Sequence, residues 1–247
     1  MRISCFLAAL ALASFGAASA RAGSFTPDQT KEIQAIIKSY LVEHPEVMEE
    51  AVDALQKQEA AKTADAARTA IRQSSAELLK SPDDIVLGNP RGDVSLVEFY
   101  DYRCGYCKGA YPQIEALIAQ DHNVRLVMKQ FPILGPDSLT ASRAVFAAKQ
   151  QGADKQLALH KALIEAKNPI DEAKVFDLAA KAGLNVETLK EAMKDPRITE
   201  VIAKTKSLAA AIHIDGTPSF ILGDQLIPGV VSTADMKVAV DKIRKAS

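Results

Sequence analysis

"VSLVEFYDYRCGYCKGAYPQIEALIAQ", residues 94–120, is the stretch on which the fold turns. Residues 94–102 are dense in β-branched and aromatic side chains, which predicts a buried strand. From residue 104 the apolar positions change period: Tyr111, Ile114, Leu117 and Ile118 fall at helical spacing. Cys104 therefore stands at a strand-to-helix junction, with Cys107 one turn along. Free N–H groups and the macrodipole at a helix start favour an anion, which lowers a thiol pKa. Such a start also exposes one sulfur and covers the other, which suits a nucleophile with a resolving partner. Pro112 predicts a kink, because its ring clashes with the preceding turn.

The rest of the cysteine inventory sharpens this. Arg2, the apolar run from Cys5 to Ala18 and the small residues Ala18-Ser19-Ala20 predict a cleaved signal peptide over residues 1–22, with Ala20-Arg21-Ala22 as a second cleavage candidate. The run is shorter than the ~20 residues of a spanning helix, which disfavours an uncleaved anchor. Of three cysteines, Cys5 leaves with the signal. Structural zinc usually takes four ligands, and His44, His122, His160 and His213 are scattered. A staple across two residues would remove little chain entropy. Redox exchange remains the reading for Cys104 and Cys107, with no cofactor and no metal expected.

Composition narrows the partners. The 247 residues carry 30 basic and 31 acidic side chains, a net charge of −1, which gives no footprint for nucleic acid. Trp is absent and aromatics are only 5%, so base-stacking platforms are not expected. No later stretch is long and apolar enough for stable membrane insertion.

Two further places carry chemistry. Glu98 lies inside the apolar strand, six residues before Cys104. It is either on an exposed strand face or a buried acid with a raised pKa, able to relay a proton to or from Cys107; Lys129, in the next expected strand, is a candidate neighbour. Between the cysteines, Gly105 adds no side chain and Tyr106 adds a hydroxyl but no positive charge. Downstream, "IDGTPSFILGDQLIPG" (214–229) has two short apolar runs around Gly223-Asp224, a hairpin signal. Thr217-Pro218 precedes the first run. Pro marks a strand start or edge, and X-Pro bonds are the ones that become cis.

A strand with an inward Glu, Cys-x-x-Cys opening a helix with a later Pro, and Thr-Pro before a hairpin together resemble the thioredoxin fold. The long gap from Cys107 to Pro218 and the signal peptide resemble its exported DsbA-like branch, in which a helical domain interrupts the core. The expected fold class is α/β: a thioredoxin fold over residues 85–247, with a helical insertion at about 137–211 and an N-terminal helical extension. "VRLVMKQFPIL" (124–134) fits the second core strand, the insertion breaks at Gly152, Asn168-Pro169, Gly183 and Asp195-Pro196, and "STADMKVAVDKIRKA" (232–246) fits a closing helix capped by Ser232 or Thr233. The resemblance implies Cys104 as attacking thiolate, Cys107 as resolving thiol, Glu98 as buried acid, and Thr217 with a cis Pro218 as peptide contacts beside Gly105 and Tyr106. The Gly-Tyr dipeptide with Thr before Pro is similar to the exported isomerase DsbC rather than to DsbA, which tilts the expectation from dithiol oxidase towards isomerase or reductase.

Residues 23–60 carry a second signal. Ile33, Ile36, Ile37, Tyr40 and Leu41 form one apolar face, and Val47, Met48, Ala51, Val52 and Leu55 another. They predict two helices with a corner at His44-Pro45, followed by a polar, Ala-rich helical linker over 61–84. An amphipathic pair of this kind must bury its face on the catalytic domain or on copies of itself. "YLVEHPEV" resembles the N-terminal region of the suppressor-of-copper-sensitivity C (ScsC) and Com1-like group, some of whose members are trimers. The resemblance implies a periplasmic, exported homo-oligomer, trimer rather than dimer, working on client proteins with disulfides and reset by a redox partner protein. Two alternatives stand beside it: a DsbA-like dithiol oxidase, and a copper-binding or copper-relay protein using the same cysteines.

Overall fold

The computed structural model describes residues 25–167 and 169–246. The signal-peptide expectation, Cys5 and the Asn168 half of one expected break lie outside the described residues. The residues through Gln56 form one unit, and Lys57 onward another.

The second unit is built on a five-stranded sheet in the order β1-β3-β2-β4-β5. Its strands are β1 (Ile85–Gly88), β2 (Val94–Tyr100), β3 (Val124–Gln130), β4 (Ser219–Leu222) and β5 (Gln225–Pro228). β2 and β3 run parallel, with Val94 opposite Val124 and Glu98 opposite Met128, and the other three pairings are antiparallel. A parallel pair needs a crossover, and α4 (Gly105–Gln120) supplies it. β4 and β5 form the expected hairpin, turning at Gly223 with φ 63°, as a glycine-first tight turn requires. A Cβ there would also lie 2.7 Å from Ile243 Cδ1. β1 went unread in the sequence: four residues are too few to show a period.

Alternation along β2 splits the core into two layers. Leu96 and Tyr100 pack with Cys107, Ile114 and Leu117 of α4, and with the inserted helices. Those helices are α5 (Pro136–Ala148), α6 (Ala153–Glu165), α7 (Glu172–Lys181), α8 (Val186–Ala192) and α9 (Pro196–Ala211). Gly152 and Gly183 break the chain between them with φ of 125° and 78°. Val97 and Phe99 face the opposite layer, with Val127, Leu208 and Ile212, and with Ile71 and Leu78. The closing helix, α10 (Thr233–Ala246), is capped by Ser232, whose hydroxyl accepts from Asp235 N at 3.1 Å.

Ile71 and Leu78 come from the stretch expected to be a solvated linker. α2 (Glu46–Gln73) runs unbroken through residue 60, and α3 (Ser75–Leu79) follows it. Ala67, Ile71 and Leu78 are buried, so these residues cover one face of the sheet. Lys129 Nζ donates to Glu77 O and lies 2.7 Å from Asp84, while Arg125 donates to Leu79 O at 2.9 Å.

In the first unit, α1 (Pro27–Glu43) opens with a capping box: Gln29 N donates to Thr26 Oγ1 at 3.2 Å and Thr26 N to Gln29 Oε1 at 2.9 Å. The corner falls at His44-Pro45 as the sequence suggests, and His44 Nδ1 lies 3.0 Å from Glu46. None of α1 is buried, and Ile36, Ile37, Tyr40, Val42, Met48, Val52 and Leu55 are exposed.

Candidate functional site

Cys104 is the N-cap of α4, its φ/ψ still extended. An N-cap side chain meets the free N–H groups of the first turn. Cys107 N donates to Cys104 Sγ at 3.4 Å, and the Cys104 thiol donates to Thr217 O at 3.1 Å. The Cys107 side chain favours the Cys104 thiolate most, joined by the Thr217 side chain and the N–H groups of Cys107 and Tyr106; against the opposing pull of burial they bring Cys104 down to about 5. Cys107 goes the other way. The hydrogen bond with Cys104 and then burial push its thiol far above the ordinary range, and the charges of Glu98 and Cys104 add to this. Both cysteines are free thiols and buried; Cys107 is wholly covered, and Cys104 keeps 6% exposure, the less covered of the two.

The Thr217-Pro218 bond is cis and packs against this turn, with the Thr217 carbonyl on Cys104. Tyr106 is 73% exposed at the rim, and a Cβ on Gly105 would meet nothing within 4 Å. The approach to Cys104 is open on that side. α4 runs through Pro112, where a kink is expected, to Gln120.

Glu98 is buried at 1% exposure, which removes the exposed-face alternative. Burial first, and the nearby Cys104 charge second, hold its carboxyl well above the usual range. Its Oε2 has no hydrogen-bond partner among the described residues. The expected Lys129 neighbour is corrected. Glu98 pairs with Met128, whereas Lys129 pairs with Phe99 and so projects to the opposite face, where Asp84 and Glu77 hold it.

Three groups escaped the sequence reading. Asp101 is fully buried beside the cysteine turn. Lys108, next to Cys107, donates to Leu163 O at 2.7 Å near the C-terminal end of α6; burial pulls it to about 8 against the charges of Cys107, Asp101 and Cys104. His160, one of the scattered histidines, lies buried on α6 with Nδ1 2.9 Å from Tyr102 Oη and 3.3 Å from Tyr100 Oη. Burial pulls that imidazole to about 3, so it is neutral. A lone Asp between two tyrosines at a strand end was the available signal for the first; nothing local marks the other two. Among the described residues no group of three or more His, Cys, Asp or Glu is placed to hold a metal ion, and no helix is long and apolar enough to cross a membrane.

Comparison with known proteins agrees with this geometry. A model of the DSBA-like thioredoxin domain matches residues 95–241, and one of the copper resistance protein ScsC N-terminal domain matches residues 29–62. A thioredoxin-like oxidoreductase from Silicibacter pomeroyi DSS-3 is 43% identical, with TM-score 0.67 over 70% of this chain and 98% of that one. Proteus mirabilis ScsC in a transitional conformation is 30% identical, with TM-score 0.65 over 88% of this chain and 98% of that one. A Na(+)/H(+) antiporter, NhaA 3 of Salinispora tropica, is 28% identical over 162 residues; 64% of this chain is matched, but it spans only 24% of that relative's length. With an N-cap cysteine, a cis proline against it and an inserted helical unit, the chain belongs to the DsbA-like thioredoxin-domain family and carries an ScsC-type N-terminal segment.

Proposed function

We propose that this protein is an exported thiol–disulfide oxidoreductase that acts as a disulfide isomerase or reductase, with residues 1–22 as its export signal and the periplasm as its compartment. The observation that carries the reading is the asymmetry of the pair at the start of α4: Cys104 low, at the N-cap and the less covered, Cys107 high and wholly covered. The Cys104 thiolate attacks one sulfur of a client disulfide. The client S–S bond breaks, a mixed disulfide forms, and the departing client thiolate takes a proton from solvent. Cys104 has then lost its charge, and with it the hydrogen bond that held the Cys107 proton. Whenever Glu98 is ionised it accepts that proton, and Cys107 attacks Cys104 Sγ. The second client thiolate leaves and is protonated, so the client is reduced by two electrons and the pair oxidised. In isomerisation a different client thiolate attacks the client sulfur of the mixed disulfide, which returns the Cys104 thiolate with no net electron transfer. Thr217, Pro218, Gly105 and Tyr106 form the surface that receives the client backbone.

The isomerase reading also draws on the first unit. Its exposed apolar residues fit self-association, as does the ScsC-type match over residues 29–62, and a trimer is favoured over a dimer. Several sites facing one client hold it while its bonds are remade. A redox partner protein then restores the cysteines. Refolding of a scrambled-disulfide ribonuclease tests this: the full chain should recover activity, and Cys104→Ser should recover none. Recovery no better than with glutathione alone would overturn the isomerase reading. Fast oxidation of reduced client, without recovery, would favour the dithiol oxidase.

A further inference from the structure

Asp101 is a charged side chain at 0% exposure with every contact turned inward. Its main chain already belongs to the site: Cys104 N donates to Asp101 O at 3.1 Å, and the Asp101 N–H bonds the Cys107 sulfur. Its carboxylate reaches elsewhere. Oδ1 accepts from Arg103 N and from Ser138 Oγ, both at 2.8 Å. Oδ2 accepts from two successive amides, Ile133 N at 2.8 Å and Leu134 N at 3.1 Å. Four donors on two oxygens saturate the group, and bonds to an ionised acceptor are the strong ones. Arg103 closes the same ring from outside, donating to Leu134 O at 2.9 Å.

One carboxylate thus ties the cysteine turn to the loop between β3 and α5. That loop carries Ile133 and Leu134, each more than a third exposed despite being apolar. Without Asp101, the two amides of this loop lose their shared acceptor. We propose that Asp101 is the positioning residue for client binding: it fixes the 133–134 loop as an apolar wall beside Cys104, against which the residues flanking a client disulfide pack. This rests on the oxidoreductase reading above, and concerns how large disulfides are held rather than how sulfur exchanges.

The test separates those two. In the full-length protein, insulin reduction by dithiothreitol gives KM and kcat for a large substrate, and the rate of the reduced protein with oxidised glutathione reports exchange without a wall. Asn presents one acceptor oxygen where four donors converge, so Asp101→Asn should raise the insulin KM about fivefold, the equivalent of roughly one hydrogen bond. Its glutathione rate should fall by a smaller factor than its insulin kcat/KM, because the main-chain bonds of residue 101 to the cysteine turn remain. Leu134→Ala, an exposed position, should raise the insulin KM in the same direction with an unchanged melting temperature. Ser138→Ala removes one of the four bonds and keeps the charge; it should give a smaller rise, and carries the test if Asp101→Asn does not fold. Equal fractional losses on insulin and glutathione in Asp101→Asn, or an unaltered insulin KM in Leu134→Ala, would overturn the assignment. A wild-type chain inert to both substrates would instead overturn the oxidoreductase reading on which it stands.

Discussion

Glu98 and Cys107 are both buried near the end of β2, and the Glu98 charge raises the cost of ionising Cys107, while burial and then the Cys104 charge raise the carboxyl of Glu98 itself. The sign of the resulting pH effect follows from Glu98's raised carboxyl. Above the ordinary glutamate range the unfolded chain has released this proton while the folded one keeps it, so folding takes up a proton and stability falls as pH rises. Glu98→Gln removes that burden. The variant should be more stable than the parent to urea, with little difference near pH 4 and a gap that widens towards pH 8, since a solvated glutamate carboxyl ordinarily titrates at 4.5. Above the pH at which the folded Glu98 carboxyl ionises, the variant should also prolong the mixed disulfide, because Cys107 loses its acceptor. A constant gap across that range would show that Glu98 is not the group that titrates. The cysteines were legible because their chemistry depends on a spacing of three along the chain. The bonds of the Asp101 carboxylate were not. Ile133, Leu134 and Ser138 are more than thirty residues away, and only the parallel register of β2 and β3 brings them in.

At the level of elements, α2 and α3 show why periodicity misled. Residues 57–81 are Ala-rich with few bulky side chains, which reads as solvent-facing. Their buried positions are Ala67, Ile71 and Leu78, a small residue and two large ones that give almost no helical stripe. Polar groups do much of the fastening: Lys129 to Glu77 O, Arg125 to Leu79 O, and Arg72 to Asp224 at the hairpin turn. Ile71→Ala should therefore lower unfolding stability by about 2–4 kcal/mol, the cost of a truncated core side chain, rather than the near-zero change of a spacer residue. Urea denaturation of the full chain measures this. β2 and α4 were read within a residue or two because their signals are local: an apolar run with β-branched residues, then a clean change of period; β3 ends at Gln130, four residues short of the expected 134.

Over the whole molecule, apolar side chains are distributed unevenly between the two units. The second unit covers most of its large hydrophobics in two core layers and leaves a few, such as Tyr106 and Leu134, exposed, whereas the first leaves Ile36, Ile37, Tyr40 and Leu55 exposed and buries none of α1. Self-association through the first unit predicts that deleting residues 25–56 lowers the solution mass to that of one chain, by sedimentation equilibrium, while the glutathione rate at Cys104 stays unchanged. An oligomer that survives the deletion would place the contact elsewhere. That this extension makes helices was plain from its amphipathic spacing, because the 3.6-residue period is a local signal.

The docking of α2 and α3 on the sheet also governs where this chain tolerates a cut. A fragment begun at Ile85, the first residue of β1, would lose Ile71 and Leu78 from the layer that covers Val97, Phe99 and Val127, leaving only part of that cover from Leu208 and Ile212. Such a truncate should precipitate on expression or stick to its neighbours through that raw surface. One begun near Lys57 would keep its cover, so the smallest soluble enzyme is longer than the smallest recognisable one.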